Sequence, residues 1–135
     1  MKRRDFITFT AAATLAPWAA YAAADYAPGL VTKALNNGET VFLDFKASWC
    51  STCAAQERVI NALKAENPAY DKAITFINVD WDQHGKSALA KSLRIPRRST
   101  LVVLKGDQEL GRIVAGTSKS DIKALMDTAL AATLA

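Results

Sequence analysis

Val41-Phe42-Leu43-Asp44-Phe45-Lys46-Ala47-Ser48-Trp49-Cys50-Ser51-Thr52-Cys53 is the stretch from which the rest of the chain is read. Val41, Phe42, Leu43 and Phe45 form a short apolar run rich in aromatic side chains, the pattern of a strand covered on both faces. From Ala54 to Ala65 the apolar spacing becomes helical, with Val59, Ile60 and Leu63 on one side. Cys50 therefore falls at a helix N-terminus, where unpaired backbone N–H groups and the positive end of the helix dipole favour a thiolate. Cys53 follows nearly one helical turn later, close enough to close a disulfide back onto Cys50. Cys50 is expected to be the more acidic and nucleophilic sulfur of a dithiol that cycles.

Other readings of two cysteines are weaker. A zinc site needs four ligands, and the chain has two cysteines and one histidine, so a metal or iron–sulfur centre would have to be shared between subunits. Ala54 follows Cys53 where covalent haem attachment needs a histidine. A purely structural disulfide closing so short a loop contributes little chain-entropy stabilisation. Asp44 inside an apolar strand is costly to bury, which favours a function for it; an edge strand with Asp44 facing water is the plainer reading.

Asp44-Phe45, Ala47 and Trp49-Cys50-Ser51-Thr52-Cys53 resemble the active-site segment of the thioredoxin family, including the aspartate six residues ahead of the first cysteine. The resemblance implies that Asp44 lies buried beneath the cysteines and helps move the proton when the second thiol reacts. Two departures stand out: Ser51-Thr52 replaces the family's usual Gly-Pro, and Lys46 replaces a common tryptophan. The fold is supported by this match, whereas the redox potential is not inherited.

Residues 1–24 read as a leader rather than as part of the fold. Lys2, Arg3 and Arg4 precede a stretch that carries no charge after Asp5, and Ala22-Ala23-Ala24 before Asp25 fits a small-residue cleavage site. Arg3-Arg4-Asp5-Phe6-Ile7 resembles the twin-arginine export motif, against an ordinary signal peptide that happens to hold two arginines. A periplasmic location follows as an expectation. Losing the leader lowers the formal charge from +4 to +2, which does not suggest a nucleic-acid binder. Residues 25–135 then make one domain with room for one core, and a monomer is expected.

Tyr26 to Asn37 reads as a first helix stopped by Asn36-Asn37-Gly38, and the mature chain looks too short for a strand before it. Ile74–Asp80 is a second strand, parallel to the first because a helix separates them. Trp81–Gly85 reads as a polar loop in which His84, the only histidine, is solvated; Ser87–Leu93 is a brief helix. Gly106-Asp107 turns Leu101–Lys105 back into Glu109–Val114 as an antiparallel hairpin. Ser118 to Asp121 starts a last helix whose apolar stripe is Ile122, Leu125, Met126 and Leu130.

The loop Arg94-Ile95-Pro96-Arg97-Arg98-Ser99-Thr100 departs from the resemblance. The family places a cis-proline opposite the cysteines, then a threonine and an apolar strand. Matching back from Leu101 puts Ser99 at the proline's place, and Pro96 takes it only with three residues inserted. Ser99 is expected to face Cys50 without a cis peptide. Arg94, Arg97 and Arg98 form either a solvated rim or, with Lys46, a positive field that lowers the thiol pKa of Cys50 and steers acidic partners.

The expected architecture is α/β: a thioredoxin-like three-layer sandwich with a central four-stranded mixed sheet flanked by helices. The function implied is an exported thiol–disulfide oxidoreductase with Cys50, Cys53 and Asp44 as catalytic residues and no cofactor beyond the redox-active disulfide. Trp49, Ser51, Thr52, Ser99, Thr100 and Gly116 are the residues expected to meet a disulfide-containing protein substrate, and a membrane thiol carrier would supply electrons. The alternatives are a thiol oxidant or isomerase, a metal-binding module using the same cysteines, and a non-catalytic adaptor.

Overall fold

The computed structural model describes residues 23–134; the leader assigned to residues 1–24 lies almost wholly outside them. Five strands form one mixed sheet in the order β1-β3-β2-β4-β5. They are β1 (Ala24–Asp25), β2 (Thr40–Lys46), β3 (Ile74–Asp80), β4 (Thr100–Lys105) and β5 (Gln108–Val114). β1 and β2 run parallel to β3, while β4 is antiparallel to both β2 and β5. The helices are α1 (Leu30–Asn36), α2 (Ser51–Glu66), α3 (Ala69–Ala73), α4 (Trp81–His84), α5 (Ala88–Ser92) and α6 (Lys119–Leu134).

β2 is the middle strand, and its side chains from Thr40 to Phe45 are all buried, as a strand with cover on both faces requires. Successive side chains alternate between faces. Phe42 packs with Ile60 and Leu63 of α2 and with Ile122 and Met126 of α6. Val41, Leu43 and Phe45 pack on the other face with Val31 and Ala34 of α1 and Ala90 of α5. Asp44 shares the face of Phe42, so it points towards the layer of the cysteine helix α2. Full burial of each large apolar side chain stabilises by about 1.5–3 kcal/mol, and this two-sided core fixes the strand that carries the site.

The four-strand expectation is corrected by β1. Two residues suffice for a parallel pairing, Ala24 with Ile77 and Asp25 with Asn78, extended by a Tyr26 N–H donated to the Asn78 carbonyl at 2.8 Å. A pattern so short carries no periodicity to read. The first helix also starts later than Tyr26, at Leu30, because Gly29 enters it with φ 90, in the left-handed region that glycine tolerates. Trp81–His84 is a helical turn rather than a loop, capped by the Asp80 carboxylate accepting from the Asp82 N–H. Asn67-Pro68 ends α2 but also opens α3, where Tyr70 is buried and its hydroxyl donates to Asp127 of α6.

Candidate active site

Cys50 is the N-cap of α2: its φ and ψ are −95 and 112, and its sulfur accepts the Cys53 N–H at 3.1 Å. This places Sγ among the unpaired donors of the first helical turn. The two cysteines form a disulfide with Cα atoms 5.3 Å apart, and both are buried. Ala47 and Trp81 pack around them. Ser51 is exposed and Thr52 half-buried on the outer side of the same turn.

Ser99 closes the site from the loop before β4. Its Oγ lies 3.1 Å from Cys50 Sγ and 3.1 Å from Cys53 Sγ, and the residue is fully buried. No cis peptide occurs among the described residues, and Ser99 instead has φ 65. That left-handed conformation costs a serine of order 1 kcal/mol or more. It is held by the Ser99 N–H donated to the Phe45 carbonyl at 2.7 Å and by the Ala115 N–H donated to the Ser99 carbonyl at 2.8 Å. Thr100 is buried and donates its hydroxyl to the Arg97 carbonyl at 2.7 Å, so it braces the loop from within and does not reach the surface.

Gln56 was not singled out in the sequence. It is fully buried on α2, and its Nε2 donates to the carbonyls of Ser99 at 3.0 Å and Gly116 at 2.9 Å. One side chain thus ties the cysteine helix to both neighbouring loops. A signal existed: Cys53, Gln56, Ile60 and Leu63 form the buried stripe of α2, and an amide within such a stripe demands partners.

Asp44 is 5% exposed, and its Oδ1 has no hydrogen-bond partner. Burial pushes its carboxyl up to about 7, opposed by the charge of Lys46 and reinforced by that of Glu57. It borders a cavity of about 50 Å³ that also touches Glu57, Ile60, Asn61 and Lys64 of α2. Lys46 donates to Glu57 at 2.9 Å, so part of its charge is spoken for.

Trp49 is 59% exposed, yet it is pinned from two sides. Its Nε1–H donates to the Asp82 carboxylate at 3.0 and 3.1 Å, and the Arg98 guanidinium lies 4.6 Å from the ring centre. Arg97 turns its Nε to the Arg98 carbonyl at 3.0 Å, and Arg94 is exposed. His84 is half-buried edge-on against Tyr26, 4.9 Å between ring centres, rather than fully solvated.

The chain thus sets a disulfide at the start of α2 and a buried carboxyl on the central strand, and the family model for thioredoxin matches residues 29–128. The chain belongs to the thioredoxin family. It is similar to thioredoxin H2-1 of Oryza sativa subsp. japonica, 30% identical over 69% of this chain and 62% of that protein. Against an H-type thioredoxin of Fagopyrum esculentum the identity is 32%, covering 67% of this chain and 72% of the other. Among solved structures, the Trxlp protein of Edwardsiella tarda EIB202 superposes with a TM-score of 0.66 at 30% identity, covering 77% of this chain and 98% of that one. As a thioredoxin-family protein the chain carries its redox group within itself, as the Cys50–Cys53 disulfide.

Proposed function

We propose that this chain is an exported thiol–disulfide oxidoreductase that reduces disulfides of proteins in the periplasm. The observation that carries the reading is the Cys50–Cys53 disulfide at the N-terminus of α2, with Asp44 on the sheet face beneath that helix.

In the reduced protein the Cys50 thiolate attacks a substrate disulfide, forms a mixed disulfide and expels one substrate thiolate. Cys53 then loses its proton, attacks Cys50 Sγ and expels the second thiolate, restoring the enzyme disulfide. Two electrons pass from the dithiol to the substrate. Asp44, with a carboxyl poised at about 7, suits the acceptor of the Cys53 proton near neutrality. Trp49, held by Asp82 and Arg98, offers an apolar ring at the rim for the substrate chain, with Ser51 and Thr52 following it on the first turn of α2 and Gly116 tied to that helix through Gln56.

The twin-arginine-like start at residues 3–7 supports export. In an oxidising compartment the pair needs an external source of electrons, which a membrane thiol carrier would provide. The protein is taken to act as a monomer.

Reduction of insulin disulfides by the dithiol form tests the catalytic reading. Native protein should turn over with a small dithiol as donor, Cys50→Ser should be inactive, and Cys53→Ser should accumulate a mixed disulfide. Lack of turnover with the cysteine pair intact would remove the reading. Cell fractionation, with Arg3→Lys and Arg4→Lys retained in the cytoplasm, tests export separately.

A further inference from the structure

The steps above leave one group at the reacting atoms unused. The Ser99 hydroxyl stands 3.1 Å from each sulfur, and among the described residues it has no other hydrogen-bond partner. A disulfide carries no S–H, so in this contact the hydroxyl is the donor. Its placement is over-determined: the N–H and carbonyl of Ser99 are bonded to Phe45, Ala115 and Gln56, and these bonds hold φ at 65, where a serine does not rest unaided. Backbone strain maintained in this way collects at functional positions.

We propose that Ser99 is a catalytic residue whose single hydroxyl proton serves both sulfurs in turn, bonding the Cys50 thiolate in the reduced protein and the Cys53 thiolate in the mixed disulfide. The proposal rests on the thiol–disulfide exchange described above. When Cys50 Sγ bonds to the substrate sulfur, the substrate S–S bond breaks, and negative charge leaves Cys50 with the departing thiolate. The hydroxyl is then released to turn to Cys53. When Cys53 bonds to Cys50, the mixed disulfide breaks and charge leaves Cys53 with the second substrate thiolate. Ser99 keeps its proton throughout; only its direction changes. The equal distances to the two sulfurs suit this alternation, and burial keeps water from competing for the thiolate.

Hydrogen bonds to an ionised acceptor are about twice as strong as those to a neutral one. The hydroxyl therefore favours the reduced state, with its Cys50 thiolate, over the disulfide. Its loss should raise the thiol pKa of Cys50, slow the resolving step, and make the pair harder to reduce.

Ser99→Ala and Ser99→Gly test this together, because both lack the hydroxyl while glycine alone accepts a positive φ without strain. The probe is iodoacetamide: the pH dependence of alkylation of the reduced protein gives the Cys50 thiol pKa, and this needs no substrate turnover. A protein that fails to reduce insulin would therefore still report on the hydroxyl. Resolution of a preformed mixed disulfide with glutathione gives the second step. In both variants we expect a rise of about one pKa unit, a tenfold change in acidity, resolution slowed about tenfold, and a potential about 30 mV more negative, the same factor expressed for a two-electron couple. Unchanged pKa in both variants, or a shift in alanine absent from glycine, overturns the proposal. A shifted pKa with native resolution overturns the shared role.

Discussion

The side-chain amide of Gln56 donates to the main-chain carbonyl of Ser99 at 3.0 Å, across the seam between the cysteine helix and the loop that faces it. The same nitrogen reaches the Gly116 carbonyl at 2.9 Å, whereas Gln56 Oε1 is buried without a partner. Gln56→Leu should therefore lose two bonds and take from the Gly116 carbonyl its Gln56 donor, while the Ser99 carbonyl keeps the Ala115 N–H, offset in part by removing the unpaired oxygen. The expected net cost is about 1–3 kcal/mol, read as a lowered urea midpoint with unchanged slope. A stability equal to native would show that the amide does not brace the loops.

Trp49 is positioned by charge rather than by burial, through Asp82 and Arg98. Arg98→Gln removes a cation–π contact of about 0.5–1 kcal/mol. We expect a severalfold higher KM for a protein disulfide with Arg98→Gln, and a similar change with Asp82→Ala. The effect of Arg98 should shrink in high salt if steering of acidic partners contributes. An unchanged KM in both variants would mean that the ring's posture is irrelevant to docking.

Asp44 makes stability depend on pH in a definite direction. Its carboxyl is raised to about 7 in the folded chain, above the ordinary value that it takes on unfolding. Between roughly pH 4 and pH 7 the native state holds a proton that the unfolded state has released, so stability falls as pH rises through this window. Asp44→Asn escapes that penalty, and its advantage over native should grow across the window by up to roughly 4 kcal/mol, then level off. Denaturant titrations at several pH values read this directly. In turnover the same variant should lose the ascending limb near pH 7 and run about 100-fold slower, if Asp44 takes the Cys53 proton.

The short strand β1 bears on processing. Ala24 pairs with Ile77, and a cut between Ala24 and Asp25 would remove half of the strand. Ala20-Tyr21-Ala22 offers a second small-residue site that spares it. Intact-mass analysis of exported protein should give Ala23 as its first residue. Asp25 at that position would show that the fold dispenses with β1.

Much of this was legible in the residues themselves. The buried strand through Phe45, the cysteines at a helix start, and the hairpin around Gly106 each carry a local signal: an apolar run, a change of period, a turn residue. The placement of Ser99 followed from counting back from Leu101. Gln56 and Asp82 did not show themselves as parts of the site, and Gly116 was placed there without its bond to Gln56, because the partners lie 33 to 60 residues apart. Only the folded sheet brings those backbones together. β1 was missed because two alanine- and aspartate-type residues have no strand preference of their own and are recruited by the open edge of β3.

The reduction potential of the Cys50–Cys53 pair in the mature protein, measured by alkylation trapping across thiol buffers, tests most directly whether this chain donates electrons. A reductant should lie near the thioredoxin end of the scale, about −270 mV. A value of about −180 mV or higher, in the range of isomerases and protein oxidants, would contradict it and reverse the direction of the proposed reaction.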